Sequence, residues 1–166
     1  MDYFTSDTHF GHANIIKYCN RPFADVHHMN VEMTTRWNAR VLPEDRVYHI
    51  GDFAMGHKSL IPNYLKRLNG EIIFIAGNHD RPKILSALGY AVYDELKLPV
   101  GLDKYVYLCH KPYYIKDYDP NMLVFLCGHV HETWKRKEYQ NGLKQINVGV
   151  DQWDFTPHTL DELIND

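Results

Sequence analysis

Seven side chains able to bind a divalent cation stand directly after short apolar runs. Asp7 and His9 follow Tyr3–Thr5, and Asp52 follows Arg46–Ile50. Asn78 follows Glu71–Ala76, His110 follows Tyr105–Cys109, and His129 with His131 follows Met122–Cys127. These are imidazole, carboxylate and amide donors with no thiolate among them. Such a mixture suits Mn, Fe(II), Zn or Ni better than Ca or Mg, and better than a Cys-rich structural zinc site. Seven donors are too many for one ion that must also hold a substrate. They fit two ions sharing a carboxylate about 3.5–4 Å apart, the arrangement that serves in-line displacement at phosphorus. Asp52, preceded by the small Gly51, is the candidate bridge. In FIAGNHDRP, residues 74–82, a tight turn would account for Gly77 and Asn78, since both tolerate positive φ. It does not account for His79 and Asp80.

The positioning elements are legible around these residues. Each apolar run is strand-length, rich in β-branched and aromatic residues, and ends at Gly, Ser or a polar cluster; Gln145–Val150 is a sixth. Met29, Met33, Trp37 and Val41 keep i, i+4 spacing and predict an amphipathic helix over 26–41, with Trp37 in the core. Leu60, Tyr64, Leu65 and Leu68 predict another, with Pro62 in its first turn. Pro82 to Leu88, closed by Gly89, predicts a third, and Thr159–Ile164 a short terminal one. Strands alternating with helices, then mostly strands, indicate one α/β layered domain over 1–166 with a largely buried sheet. In open α/β sheets the carboxyl ends of the strands line one crevice, which gathers five strand ends into one site.

The bulk properties exclude several alternatives. The 166 residues are 45% hydrophobic and 23% charged with a net charge of −3, ordinary for a globular domain, whereas 11 histidines are more than such a domain needs. No basic run argues for a long nucleic-acid partner. Cys19, Cys109 and Cys127 are odd in number and lack CxxC spacing, so free thiols in a reducing compartment are expected. The opening MDYFTSD has neither a basic n-region nor a long apolar stretch, so no signal peptide or membrane span is expected, and the location expected is cytoplasmic. His49 and His57 are read as structural, and His27-His28 as a solvated helix face. His12, Asn14 and Arg21 in FGHANIIKYCNRPF, together with Arg81, are candidates for substrate contacts. Helix capping is the alternative for His12, and surface solvation for Arg81 and its counterpart Lys111. Trp134 and Trp153 stay open between packing and base stacking.

The blocks Asp7-Thr8-His9, Gly51-Asp52, Gly77-Asn78-His79-Asp80, His110 and Gly128-His129-Val130-His131 resemble those of the calcineurin-like metallophosphoesterases, in that family's order. Asn147-Val148-Gly149-Val150-Asp151 is similar to the strand that follows them. The resemblance implies a four-layer αββα sandwich, two mixed sheets flanked by helices, with the metal site at the strand C-terminal ends. It implies that Asp7, His9, Asp52 and His131 hold one ion, and that Asp52, Asn78, His110 and His129 hold the other. It implies for His79 no metal, but contact with the phosphate and protonation of the leaving oxygen. Met55 and Gly56 stand where the phosphoprotein-phosphatase branch carries an Asp-Arg pair, so the chain looks more like the short bacterial and phage phosphoesterases. The expected activity is hydrolysis of small phosphodiesters, such as cyclic or short nucleotides, by in-line attack of a metal-bridging hydroxide, with Mn foremost. The alternatives are a phosphomonoesterase and a non-catalytic binding scaffold of the same fold, and His79 separates enzyme from scaffold.

Overall fold

Alternation along the strands sorts the apolar side chains into three layers, in a computed structural model that describes all of residues 1–166. One sheet contains β1 (Asp2–Thr5), β2 (Arg46–Ile50), β3 (Glu71–Ile75), β4 (Val92–Tyr93) and β10 (His158–Thr159). Its order is β10-β1-β2-β3-β4, parallel except for β10. The other contains β5 (Glu95–Pro99), β6 (Tyr105–Cys109), β7 (Met122–Cys127), β8 (Arg136–Glu138) and β9 (Lys144–Asn147). Its order is β5-β6-β7-β9-β8, with a parallel centre and antiparallel edges. The fold is thus a sandwich of two five-stranded mixed sheets.

Between the sheets, Phe4, Tyr48, Ile50 and Ile75 meet Val106, Leu108, Val124, Leu126 and Ile146 in one buried cluster. The alternate residues Tyr3, Val47, Ile72 and Phe74 face outward on the first sheet and bury against helices. Those helices are α1 (Ile15–Tyr18), α2 (Val26–Arg40), α3 (Ile61–Leu65) and α4 (Pro82–Ala87). The longest, α2, turns Met29, Met33 and Trp37 onto the sheet, and the Asp25 side chain caps its start by accepting from the His28 N–H at 2.8 Å. On the second sheet the outward Tyr107, Met122, Phe125 and Cys127 are covered by Ile115, Tyr118, Trp134 and Tyr139 from the connecting loops. Thus the helical layer lies on the first sheet, while loops supply the cover of the second. The last helix, α5 (Leu160–Asn165), puts Leu163 into the inter-sheet cluster beside Trp153. No helix is long and apolar enough to cross a membrane.

The 60–68 pattern resolves into a 3-10 turn, Lys58–Leu60, and the short α3, with Leu68 packing from the loop beyond. Apolar spacing there reports burial over a longer stretch than helix. Strand β9 ends at Asn147, and the segment after it crosses to the first sheet. Ser6 N–H donates to Val148 O and Val150 N–H to Ser6 O, both at 3.1 Å. This crossing ties the two sheets together at their carboxyl ends.

Candidate metal centre

The loops after β1, β2, β3, β6 and β7 bring all seven expected donors to one end of the sandwich. Asp7, His9 and His131 form one cluster and Asp52, His110 and His129 a second, the donor atoms of each lying within 4.8 Å of one another. Asp52 stands between them: its Oδ2 is 3.6 Å from His9 Nε2 and 3.4 Å from His110 Nε2. Asn78 Oδ1 approaches His110 Nε2 at 3.2 Å. His9 is 2% exposed, yet neither ring nitrogen has a hydrogen-bond partner. A buried unpaired imidazole facing two carboxylates is costly unless something electron-poor meets its lone pair. The residues therefore fit divalent cations.

Hydrogen bonds behind the donors fix their orientation. His110 Nδ1–H donates to Ile50 O at 2.8 Å, leaving the Nε2 lone pair facing inward. His131 Nδ1–H donates to Asp151 Oδ2 at 3.0 Å, turning Nε2 toward Asp7. Asp7 is fully buried and its Oδ2 accepts from Ser6 Oγ at 2.6 Å and from the His129 N–H at 3.0 Å. Asp80 takes the N–H groups of Asp52 and Gly77 at 2.8 Å and of Phe53 at 2.9 Å, so it locks the Asp52 turn to the Asn78 turn. His79 N–H in turn donates to Asp52 Oδ1 at 2.9 Å. Under the first turn, His49 Nε2–H donates to Thr8 Oγ1 at 2.9 Å, and Thr8 donates to Phe53 O at 2.8 Å.

The backbone is unusual at the same places. Asp7, His9, Asp52, His129 and His131 all have positive φ, between 45° and 72°. Asp and His are among the few side chains that enter this region, which bends the chain sharply at each donor. Two glycines allow the close approach. A Cβ on Gly77 would lie 2.3 Å from Asp52 Oδ1, and one on Gly128 2.4 Å from Asp7 Oδ2.

The charge balance of the donors favours a cation. Burial pushes the Asp7 carboxyl up and the His9 imidazole down to about 3. Burial also opposes the Asp52 carboxylate, but His110, the His79 N–H and His9 hold it below the ordinary range. The same carboxylate, with Asp7, raises His110 although burial opposes its cation. Anionic oxygens thus draw positive charge to this end of the sandwich.

Arg21 is corrected by the structure. It is 4% exposed, with Nε donating to Asp151 Oδ1, Nη1 to Thr8 O, and Nη2 to Asp7 O and Asp151 Oδ2. A guanidinium so engaged beneath the site does not line a cleft. His12 lies beside the centre, its ring 5.5 Å from that of His9, and its side chain does not cap α1. Asn14 is exposed at the α1 N-cap position without a capping bond. Arg81 is exposed and donates to Gly56 O at 3.2 Å. His79 is exposed at the rim, its ring 5.7 Å from His9. Asp80 makes no bond to the His79 ring, and no Asp replaces Met55. Trp153 packs in the core, donating to Asn147 O at 2.7 Å, and Trp134 packs on the second sheet. Sequence reasoning missed Asp151 and Asp80 as supports. The available signal was that Asp80 closes the Gly77-Asn78-His79-Asp80 block and Asp151 the Asn147–Asp151 block.

The calcineurin-like phosphoesterase superfamily domain model matches residues 4–159. An uncharacterized protein of Methanocaldococcus jannaschii is 36% identical, over 98% of this chain and 88% of its own length. The gene 66 protein of Mycobacterium phage D29 is 31% identical, over 99% of this chain and 96% of its own. The crystal structure of a protein of unknown function from Aquifex aeolicus superposes with a TM-score of 0.75 at 28% identity, covering 99% of this chain and 97% of that one.

Proposed function

The chain belongs to the calcineurin-like phosphoesterase superfamily, and from that premise we propose that it hydrolyses small phosphodiesters at a centre of two divalent ions, Mn foremost. The observation that carries the reading is the position of Asp52, whose Oδ2 lies within 3.6 Å of a histidine from each cluster. A carboxylate so placed can serve both ions. Asp7, His9 and His131 would complete one coordination set, and Asn78, His110 and His129 the other. When bound, the ions supply positive charge to the phosphoryl oxygens and an acidified water as nucleophile at neutral pH.

The protein's own groups do the rest. The backbone carbonyl of Ile50 and the carboxylate of Asp151 hold the His110 and His131 rings with Nε2 inward. His79 stands at the exposed rim with no assigned ligand role, free to turn toward a substrate and to give a proton to the departing oxygen. His12, on the other side of His9, is available to a non-bridging phosphate oxygen. Asn78, His79 and His129 are all exposed. This open rim leaves room for the second ester arm of a cyclic or short nucleotide. Free Cys19, Cys109 and Cys127 accord with a reducing, cytoplasmic setting.

The test is a substrate screen on chelated protein returned to Mn, covering cyclic nucleotides, dinucleotides and phosphomonoesters. Hydrolysis should vanish on chelation and return with Mn, with diesters foremost. Activity that survives chelation verified by metal analysis would refute the mechanism, and preference for monoesters would refute the substrate class.

A further inference from the structure

We infer that Arg21 is a positioning residue that acts chiefly on one of the two ligand clusters, Asp7 with His9 and His131, through its buried pair with Asp151. The inference rests on the proposal that these clusters hold divalent ions. The Arg21 side chain is completely buried and that of Asp151 is 3% exposed. Positive φ at Asp7 (56°) and His9 (50°) bends the chain on both sides of Thr8. The bend turns the carbonyls of Asp7 and Thr8 away from the strand ladder and into the interior. Buried carbonyls need donors, and the guanidinium supplies them from Nη2 at 2.7 Å and Nη1 at 3.0 Å.

Its other edge grips Asp151 through Nε at 2.8 Å and Nη2 at 3.0 Å. Asp151 Oδ2 is also the acceptor that orients His131. One planar group therefore joins the β1 turn of the first sheet to the residue that holds His131 beyond the second sheet. Both halves of the first cluster hang on it. The second cluster has its own supports, Asp80 at the Asp52 turn and Ile50 O at His110, neither of which touches Arg21. It meets the first through the His129 N–H on Asp7 Oδ2 and the Asp7 and His9 N–H groups on Gly51 O and Asp52 O.

The charges also matter. Asp151 neutralises the guanidinium locally, so a cation can sit above it without facing a bare positive charge. Lysine retains the charge but is a point donor that cannot span two carbonyls and a bidentate carboxylate. Loss of an outer partner of this kind lowers metal affinity by about 10–100-fold.

The experiment is Mn titration, followed by the electron paramagnetic resonance of free Mn, in two backgrounds that each leave one cluster intact. His129→Gly spares the first cluster, and His131→Gly spares the second; glycine removes the donor while accepting the positive φ. In the His129→Gly background, Arg21→Lys and Asp151→Asn should each weaken Mn binding about 10–100-fold. In the His131→Gly background they should leave it within about twofold. Asp151→Asn keeps the side-chain volume, so the test stands even where Arg21→Lys fails to fold. Equal weakening in both backgrounds would make the pair a general structural element and overturn the inference, as would no weakening in the first. If the unsubstituted protein takes up no Mn by metal analysis, the metal-centre proposal itself fails and takes this one with it.

Discussion

Acid should destabilise the metal-free protein through His49, and one substitution should remove that loss. His49 is completely buried, with Nε2–H committed to Thr8 and Nδ1 without a partner. Burial lowers its pKa from 6.5 to about 3. The unfolded chain therefore takes up a proton below 6.5 that the folded protein refuses until about 3. Stability from the neutral ring is fully present above 6.5 and is lost as pH falls from there toward 3. Each pH unit in that window costs about 1.4 kcal/mol, so between pH 7.5 and 5 His49 alone removes ~2 kcal/mol. That is a large share of a typical 5–15 kcal/mol. The assay is urea unfolding of chelated protein at both pH values, for the parent and His49→Gln. The glutamine amide can still donate to Thr8 but does not titrate in this range. Whatever the variant loses at pH 7.5, its further loss at pH 5 should be smaller than the parent's by ~2 kcal/mol. Equal losses in the two proteins would refute the reasoning, because the imidazole would then titrate alike folded and unfolded.

His79→Ala removes no proposed donor, so metal content should stay unchanged while turnover of an alkyl phosphodiester falls roughly 10²–10⁴-fold. The deficit should shrink for a nitrophenyl ester, whose leaving group departs without a proton; a lost ion would instead make His79 a ligand. Asp80→Ala strands three backbone N–H groups at about 1–3 kcal/mol each if they stay dry, so unfolding free energy should drop by several kcal/mol in denaturant titrations. Gly77→Ala would put a methyl 2.3 Å from Asp52 Oδ1; Mn affinity by calorimetry should fall sharply, and undisturbed binding would contradict the packing described.

The sequence carried the strand ends and the candidate donors that follow them because both depend on local pattern. Apolar runs of strand length each stop at a polar block, and β1, β2, β3, β6 and β7 form where those runs lie. Helix α2 was legible from Met29, Met33 and Trp37 because its apolar stripe keeps i, i+4 spacing without a break. Strands β4, β8 and β10 were not, being two or three residues long and set by their pairing partners rather than by their own pattern. β5 reads Glu-Leu-Lys-Leu-Pro, an alternating edge strand that a search for continuous apolar runs passes over. Arg21 suggested a substrate contact because a guanidinium shortly after the first donor block suits a phosphate oxygen. Its burial depends on Asp151, 130 residues away in sequence, and on two carbonyls exposed by a bend that residue types alone do not announce. Asp80 hid for a related reason, since two of its three partners are backbone N–H groups of a different loop.

The left-handed backbone at Asp7, His9, Asp52, His129 and His131 has a consequence for how this centre can be dissected. An alanine at any of these positions would have to hold a conformation that costs an L-residue roughly 1–2 kcal/mol, or straighten the bend and carry its neighbours with it. Activity lost in an alanine scan would then mix a missing donor with a displaced loop, and the mixture would differ at each position. At His79, Asn78 and His110, where φ is not positive, the same substitution deletes only the side chain. Glycine at the five bent positions separates the two effects, because it vacates the coordination place and leaves the turn intact. Comparing glycine with alanine, residue by residue, would measure how far the proposed metal centre depends on the shape of the chain that carries it.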